Sequence, residues 1–106
     1  MTYHKSNIFD NAHSVISSIG KLNFIRNLLP NGKIEASEFV ALNPTRLDKR
    51  LGSFRINVIS GKWSDFATGD RGGDAISLYA YLKGISNYEA ACAIVGVQPS
   101  NKNRRG

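Results

Sequence analysis

Apolar positions in the first third of the chain recur at helical spacing. Val15, Ile16 and Ile19 share one side of a segment that Asp10 or Asn11 can cap. Gly20 interrupts the pattern, and Leu22, Phe24, Ile25, Leu28 and Leu29 resume it. The reading is either one kinked helix or two short ones, ending before Pro30, with Asn31-Gly32 as a turn signal. Residues 38–42 form a short strand candidate stopped by Asn43-Pro44. Residues 44–52 make a charged loop closed by Gly52. From residue 53 the chain alternates: Phe54, Ile56 and Val58 point one way, Ser53, Arg55 and Asn57 the other. Ser60-Gly61 can turn the chain back, and residues 62–66 return as a partner strand. Three successive short strands predict a small antiparallel meander.

Residues 67–73 are a glycine-rich loop leading to Asp74, whose carboxylate suits a helix N-terminus. Ile76, Leu78, Tyr79 and Leu82 are the apolar positions of that helix, and Gly84 is its C′ residue. Ser86 and Glu89 form a capping box for a last helix that buries Ala90, Ala91, Ile94 and Val95 and closes at Gly96. The fold class predicted is α+β: an N-terminal helical segment, a three-stranded antiparallel sheet and two C-terminal helices. One domain is expected over residues 1–97, with its core at 28–95. Residues 1–10 are expected to be loosely ordered, and residues 98–106 to form a flexible basic tail carrying Lys102, Arg104 and Arg105.

The bulk numbers fit this picture. A chain of 106 residues with 42% hydrophobic content can bury one modest core. Its one cysteine, Cys92, leaves no intrachain disulfide, which suits a reducing cytoplasm. No apolar run approaches the ~20 residues of a membrane span, and the N-terminus lacks the apolar core of a signal peptide. A cytoplasmic protein that does not engage a membrane is expected. The formal net charge of +6 favours a polyanionic partner through counterion release.

The distribution of charge matters more than its total. Between Asn43 and Asp74 stand six basic residues, three aromatics and five glycines. Arg46, Lys49, Arg50, Arg55, Lys62 and Arg71 can converge as phosphate contacts if the loop folds beside the hairpin. Alternation places Arg55 on the outward face. Trp63 is either exposed and available to stack on a base or buried in the core, whereas Phe54 and Phe66 read as core.

Other chemistry finds less support. Zinc needs about four thiolate or imidazole ligands, and the candidates are Cys92, His4 and His13. Cys92 lies among alanines on a helix and reads as a small buried residue. Asp65, Asp70 and Asp74 are close enough in sequence to hold Mg²⁺, but each has a structural use: pairing with an arginine, a turn and a helix cap. The segment 69–74 resembles a phosphate cradle, yet it lacks the lysine-serine pair of a nucleotide-hydrolysing loop. No cofactor, no metal and no catalytic residue is expected.

The order of these motifs resembles the N-terminal zinc-ribbon domain of bacterial and phage DNA primases. In that family a Cys-Pro-x-His motif precedes a Pro-Ser-Phe strand, and an aromatic-Cys-Phe-x-Cys hairpin leads into Gly-Gly-Asp and an apolar helix. Here Asn43-Pro44-Thr45-Arg46, Gly52-Ser53-Phe54-Arg55-Ile56, Trp63-Ser64-Asp65-Phe66-Ala67-Thr68 and Gly72-Gly73-Asp74 stand in those places. Ile85-Ser86-Asn87-Tyr88-Glu89-Ala90-Ala91 resembles the family's closing helix. The likeness spans roughly residues 28–95. All four zinc ligands are replaced, by Asn43, Arg46, Asp65 and Thr68, so the chain resembles the zinc-less variant at the front of phage and plasmid primase–helicases. A polar cluster of Asn43, Arg46, Asp65 and Thr68, with an Arg46–Asp65 contact, is the expected substitute for the metal.

In primases the ribbon recognises template DNA, and polymerisation belongs to a following domain. The resemblance implies a non-catalytic nucleic-acid-binding module of a phage or mobile element that favours single-stranded DNA. It would act in replication beside a helicase, primase or polymerase supplied in trans. Arg46, Lys49, Arg50, Arg55, Lys62 and Arg71 would bind phosphate, and Trp63 would stack. Two alternatives stay open. One is a protein–protein adaptor or inhibitor of a mobile element, such as an anti-CRISPR protein or helicase partner. The other is a metal-assisted enzyme using Asp65, Asp70 and Asp74.

Overall fold

The computed structural model describes residues 8–99. Its elements run α1 (Ile8–Ile19), α2 (Lys21–Leu28), β1 (Lys33–Glu35), β2 (Glu38–Ala41), β3 (Phe54–Asn57), β4 (Trp63–Asp65), β5 (Arg71–Gly72), α3 (Ala75–Lys83) and α4 (Asn87–Val95). The class is α+β, but the expected three-stranded sheet is wrong. The sheet has five antiparallel strands in the order β1-β2-β3-β4-β5. The three strands read from alternation are β2, β3 and β4, and each outer edge gains one more.

Both additions have a physical reason. β1 and β2 are joined at Ala36-Ser37, where Ala36 takes the left-handed conformation at φ 56°. A turn built on alanine carries none of the glycine or asparagine signals by which hairpins are read. β5 is two residues inside the glycine-rich stretch, with Arg71 opposite Ser64 and Gly72 opposite Trp63. Gly72 is required by close approach: a Cβ there would stand 2.4 Å from Trp63 Nε1 and from Ser77 Oγ.

At the N-terminal end the helical pattern resolves into two helices separated by Gly20 at φ 98°. α1 takes in residues 8–10 of the stretch expected to be loose, so Asp10 lies in its first turn. Residues 1–7, with His4, and the tail beyond residue 99 lie outside the described residues.

The caps read from the sequence for α3 and α4 are in place, whereas Asp10 and Asn11, read as caps, lie inside α1. Asp74 accepts from Ser77 N and Ser77 reaches back to the Asp74 backbone, while Gly84 ends α3 in the left-handed region. Ser86 and Glu89 form the equivalent box on α4, which ends at Gly96. These boxes satisfy N–H groups that a helix start otherwise leaves without acceptors.

Two apolar clusters hold the elements together. One joins Ile8, Ala12 and Ile16 of α1 and Phe24 of α2 to Ile76 and Ala80 of α3 and Ala90, Ala91 and Cys92 of α4. The other seals the inner face of the sheet: Phe39, Ala41, Phe54, Ile56 and Trp63 pack with Ile25, Leu29 and Leu78. α2 and α3 contribute to both clusters, which ties the sheet to the helices. Among the described residues no helix is long and apolar enough to cross a membrane.

Candidate nucleic-acid interface

Strand pairing sorts the polar residues into two groups, one under the sheet and one on its outer face. β4 is the divider. Trp63 and Asp65 point inward, at 5% and 0% exposure, so Ser64 points outward, and Lys62 and Phe66, which flank the strand, are exposed.

The inward group forms the cluster expected in place of a metal, with one change of membership. Asp65 is fully buried and accepts from Arg46 Nε at 3.0 Å, Arg46 Nη2 at 3.2 Å, Asn43 Nδ2 at 2.8 Å and the Ala67 N–H at 2.9 Å. The arginine fork is therefore bidentate on the carboxylate. Asn43, also fully buried, accepts from Thr45 N and Thr45 Oγ1 through Oδ1, and its own N–H donates to Asp48. Asn43 Nδ2 also donates to Tyr81 Oη at 2.9 Å, and Tyr81 Oη donates to Asp70 at 2.7 Å. Thr68 is not part of this cluster; its hydroxyl accepts from the Asp70 N–H instead. Tyr81 stands in its place. Burial pushes the Asp65 carboxyl up, but the hydrogen bonds from Arg46, Asn43 and Ala67 and the charge of Arg46 outweigh it and bring its pKa from 3.8 to about 2. The hydrogen bond to Asp65, opposed in part by desolvation, raises the pKa of Arg46.

Arg46 is thus a structural residue. Its guanidinium bridges Asp65, Asp48 at 3.4 Å and Ser53 Oγ at 3.0 Å, which corrects its assignment as a phosphate contact. An arginine whose fork is already shared between two carboxylates has little to offer a third anion. Trp63 is corrected in the same way. Its indole packs at 4.5 Å from the Tyr81 ring and edge-on to Phe54, and Nε1 donates to Ser77 Oγ at 3.0 Å, so its faces are not available to a base.

The outward group is different in character. Register sets Arg55 opposite Ser64 and Ser64 opposite Arg71, a single row across β3, β4 and β5. Two strand spacings separate the ends of this row by about 10 Å. The row lines a shallow open groove of about 390 Å³, to which Lys62, Asn57 and Ser60 add polar groups at one end and Glu38 adds a carboxylate. Arg55 is held there by Glu35 and Glu38, each at 3.2 Å, and donates through Nε to the Gly52 carbonyl. Lys62 and Arg71 are exposed and pair with no acidic side chain among the described residues. Lys49 and Arg50 are likewise exposed, on the 42–53 connection between β2 and β3, and do not line the groove.

Of the seven predicted site residues the fold therefore gathers Arg55, Lys62 and Arg71 on one surface. It leaves Lys49 and Arg50 exposed on the 42–53 connection, ties Arg46 to Asp65 and Asp48, and buries Trp63. Three residues were missed. Ser64 lies at the centre of the row. Phe66, expected in the core, is 72% exposed. Tyr81, half-buried, links the cluster to Asp70; its signal was position, three residues after Leu78 and so on the helix face that meets the sheet.

The three acids raised as a metal set are separately engaged: Asp65 with Arg46 and Asn43, Asp70 with Tyr81, and Asp74 with the first turn of α3. Among the described residues no three His, Cys, Asp or Glu side chains stand together as a metal site. Comparison with protein-family models and with curated proteins gave no match.

Proposed function

We propose that the chain is a non-catalytic nucleic-acid-binding module that holds the phosphate backbone, of single-stranded DNA in preference, along the outer face of its sheet. The observation that carries this reading is the exposed pair Lys62 and Arg71 beside Ser64 on the outer face, in a groove whose far end is held by Arg55, itself tied to Glu35 and Glu38. Lys62 and Arg71 are long cationic side chains with no acidic partner among the described residues, on a rigid scaffold and beside hydroxyl and amide donors. Such an arrangement attracts phosphates by charge and positions them by hydrogen bonds. The resemblance of the motif order to primase ribbons supports the same reading: Asn43, Arg46 and Asp65, which stand where that family would have ligands, are joined by hydrogen bonds. A role beside phage or mobile-element replication proteins in the cytoplasm follows from that likeness.

The test is a salt titration of binding to a single-stranded oligonucleotide, for wild type and for Lys62→Ala and Arg71→Ala. Affinity should fall with salt, and each substitution should flatten the log–log slope by about 0.7. Absence of binding at low salt, or slopes identical in all three proteins, would refute the proposal.

A further inference from the structure

We infer that Phe66 is a base-stacking platform at the end of this cationic track, so that the ligand class is single-stranded rather than duplex nucleic acid. This rests on the backbone-binding reading above and adds the element that reads the bases.

Phe66 is 72% exposed, an expensive place for a phenyl ring. Its position is not an accident of a loose loop. Asp65 must face inward to meet Arg46 and Asn43, so its neighbour must face outward, and the Phe66 N–H is held to the Ser53 carbonyl at 2.9 Å. Phe66 is the first residue of the turn after β4, on the exposed side with Ser64, and Lys62 precedes the strand on that side. Each successive outward residue is about 7 Å further on.

The surroundings of the ring point to a polyanion. The connection 42–53 is fastened at this end of the sheet by Arg46 Nη2 on Ser53 Oγ. It carries Lys49 and Arg50, both exposed, and three more uncovered apolar side chains, Leu42 at 42% exposure, Leu47 at 91% and Leu51 at 41%. Apolar surface, one aromatic face and several cations without acidic partners among the described residues describe the chemistry of an unstacked nucleotide: a flat apolar base on a charged backbone. A duplex keeps its base faces stacked inside and offers nothing to Phe66. Tryptophan at position 63 was the obvious stacking residue in the sequence, but the fold presents its phenylalanine neighbour instead.

The experiment compares wild type with Phe66→Ala on three probes of equal length at one salt concentration: oligo-dT, an abasic oligonucleotide and a duplex. Wild type should prefer oligo-dT to the abasic strand by about five- to 150-fold. Phe66→Ala should lose that preference while keeping its affinity for the abasic strand and its salt slope, and Phe66→Trp should restore it. As an exposed residue, Phe66 should leave the thermal transition close to that of wild type when replaced by alanine. Equal binding of oligo-dT and the abasic strand by wild type, or unchanged oligo-dT binding by Phe66→Ala, overturns the stacking inference while leaving the backbone-binding reading intact. Loss of self-association in sedimentation with DNA binding untouched assigns the patch to a second copy and overturns it too. Failure of wild type to bind any probe at low salt sinks both.

Discussion

Replacing Asp65 by asparagine tests whether the buried polar cluster holds this end of the sheet together. The substitution preserves shape and removes charge. The folded carboxyl titrates at about 2 against 3.8 for the ordinary group, so the ionised form is favoured by folding. At 1.36 kcal/mol per unit, this linkage contributes about 2 kcal/mol of stability at neutral pH. Asparagine also brings an NH₂ where Asp65 had only acceptors. Each carboxylate oxygen accepts two of the four N–H bonds from Arg46, Asn43 and Ala67, so two donors lose their partner wherever the NH₂ sits, at about 1–3 kcal/mol each. The same bonds depress the pKa, so the two contributions overlap; the total is on the order of 3–5 kcal/mol, which in a domain of this size lowers the thermal midpoint by about 15 °C or more.

The pH dependence supplies the sharper check. The folded pKa is depressed, so the stabilisation is present above the unfolded value and disappears as pH falls through the folded one. Urea unfolding of both proteins should give the full difference at pH 7. About half of the linked contribution should be gone near pH 3 and most of it by pH 2, where the folded carboxyl is half protonated. A variant within about 0.5 kcal/mol of wild type at pH 7, or a gap of the same size at pH 7 and pH 2.5, would refute the account of Asp65.

Much of this architecture was legible in the chain because local chemistry announced it. β3 alternates without a break, and Asp74–Ser77 and Ser86–Glu89 are caps that work through neighbours three residues apart. The edge strands were not legible, because three residues at β1 and two at β5 become strands only by pairing with β2 and β4. The basic cluster divided for a similar reason. Arg46 and Arg71 are the same residue type at similar positions in polar segments, and only the burial of Asp65, nineteen residues from Arg46, makes one a structural ion pair. That burial also decides the parity of β4, turning Trp63 in and Phe66 out. One buried carboxylate thus settles three assignments at once: Arg46 as structural, Trp63 as core and Phe66 as surface.

Two further predictions follow from the packing around Trp63. Gly72→Ala places a methyl group 2.4 Å from Trp63 Nε1 and Ser77 Oγ, and should destabilise the protein by about 1–3 kcal/mol in urea unfolding with a shifted Trp63 emission; wild-type stability and emission would mean that β5 does not lie against the indole. Trp63→Phe removes the hydrogen bond to Ser77 and should lower stability, yet at a temperature where both proteins are folded its affinity for oligo-dT should stay within about twofold of wild type, because the indole faces lie inside against Tyr81 and Phe54. A loss of affinity as large as that of Phe66→Ala would place the stacking surface at Trp63 after all, and with it the wrong face of β4 outward.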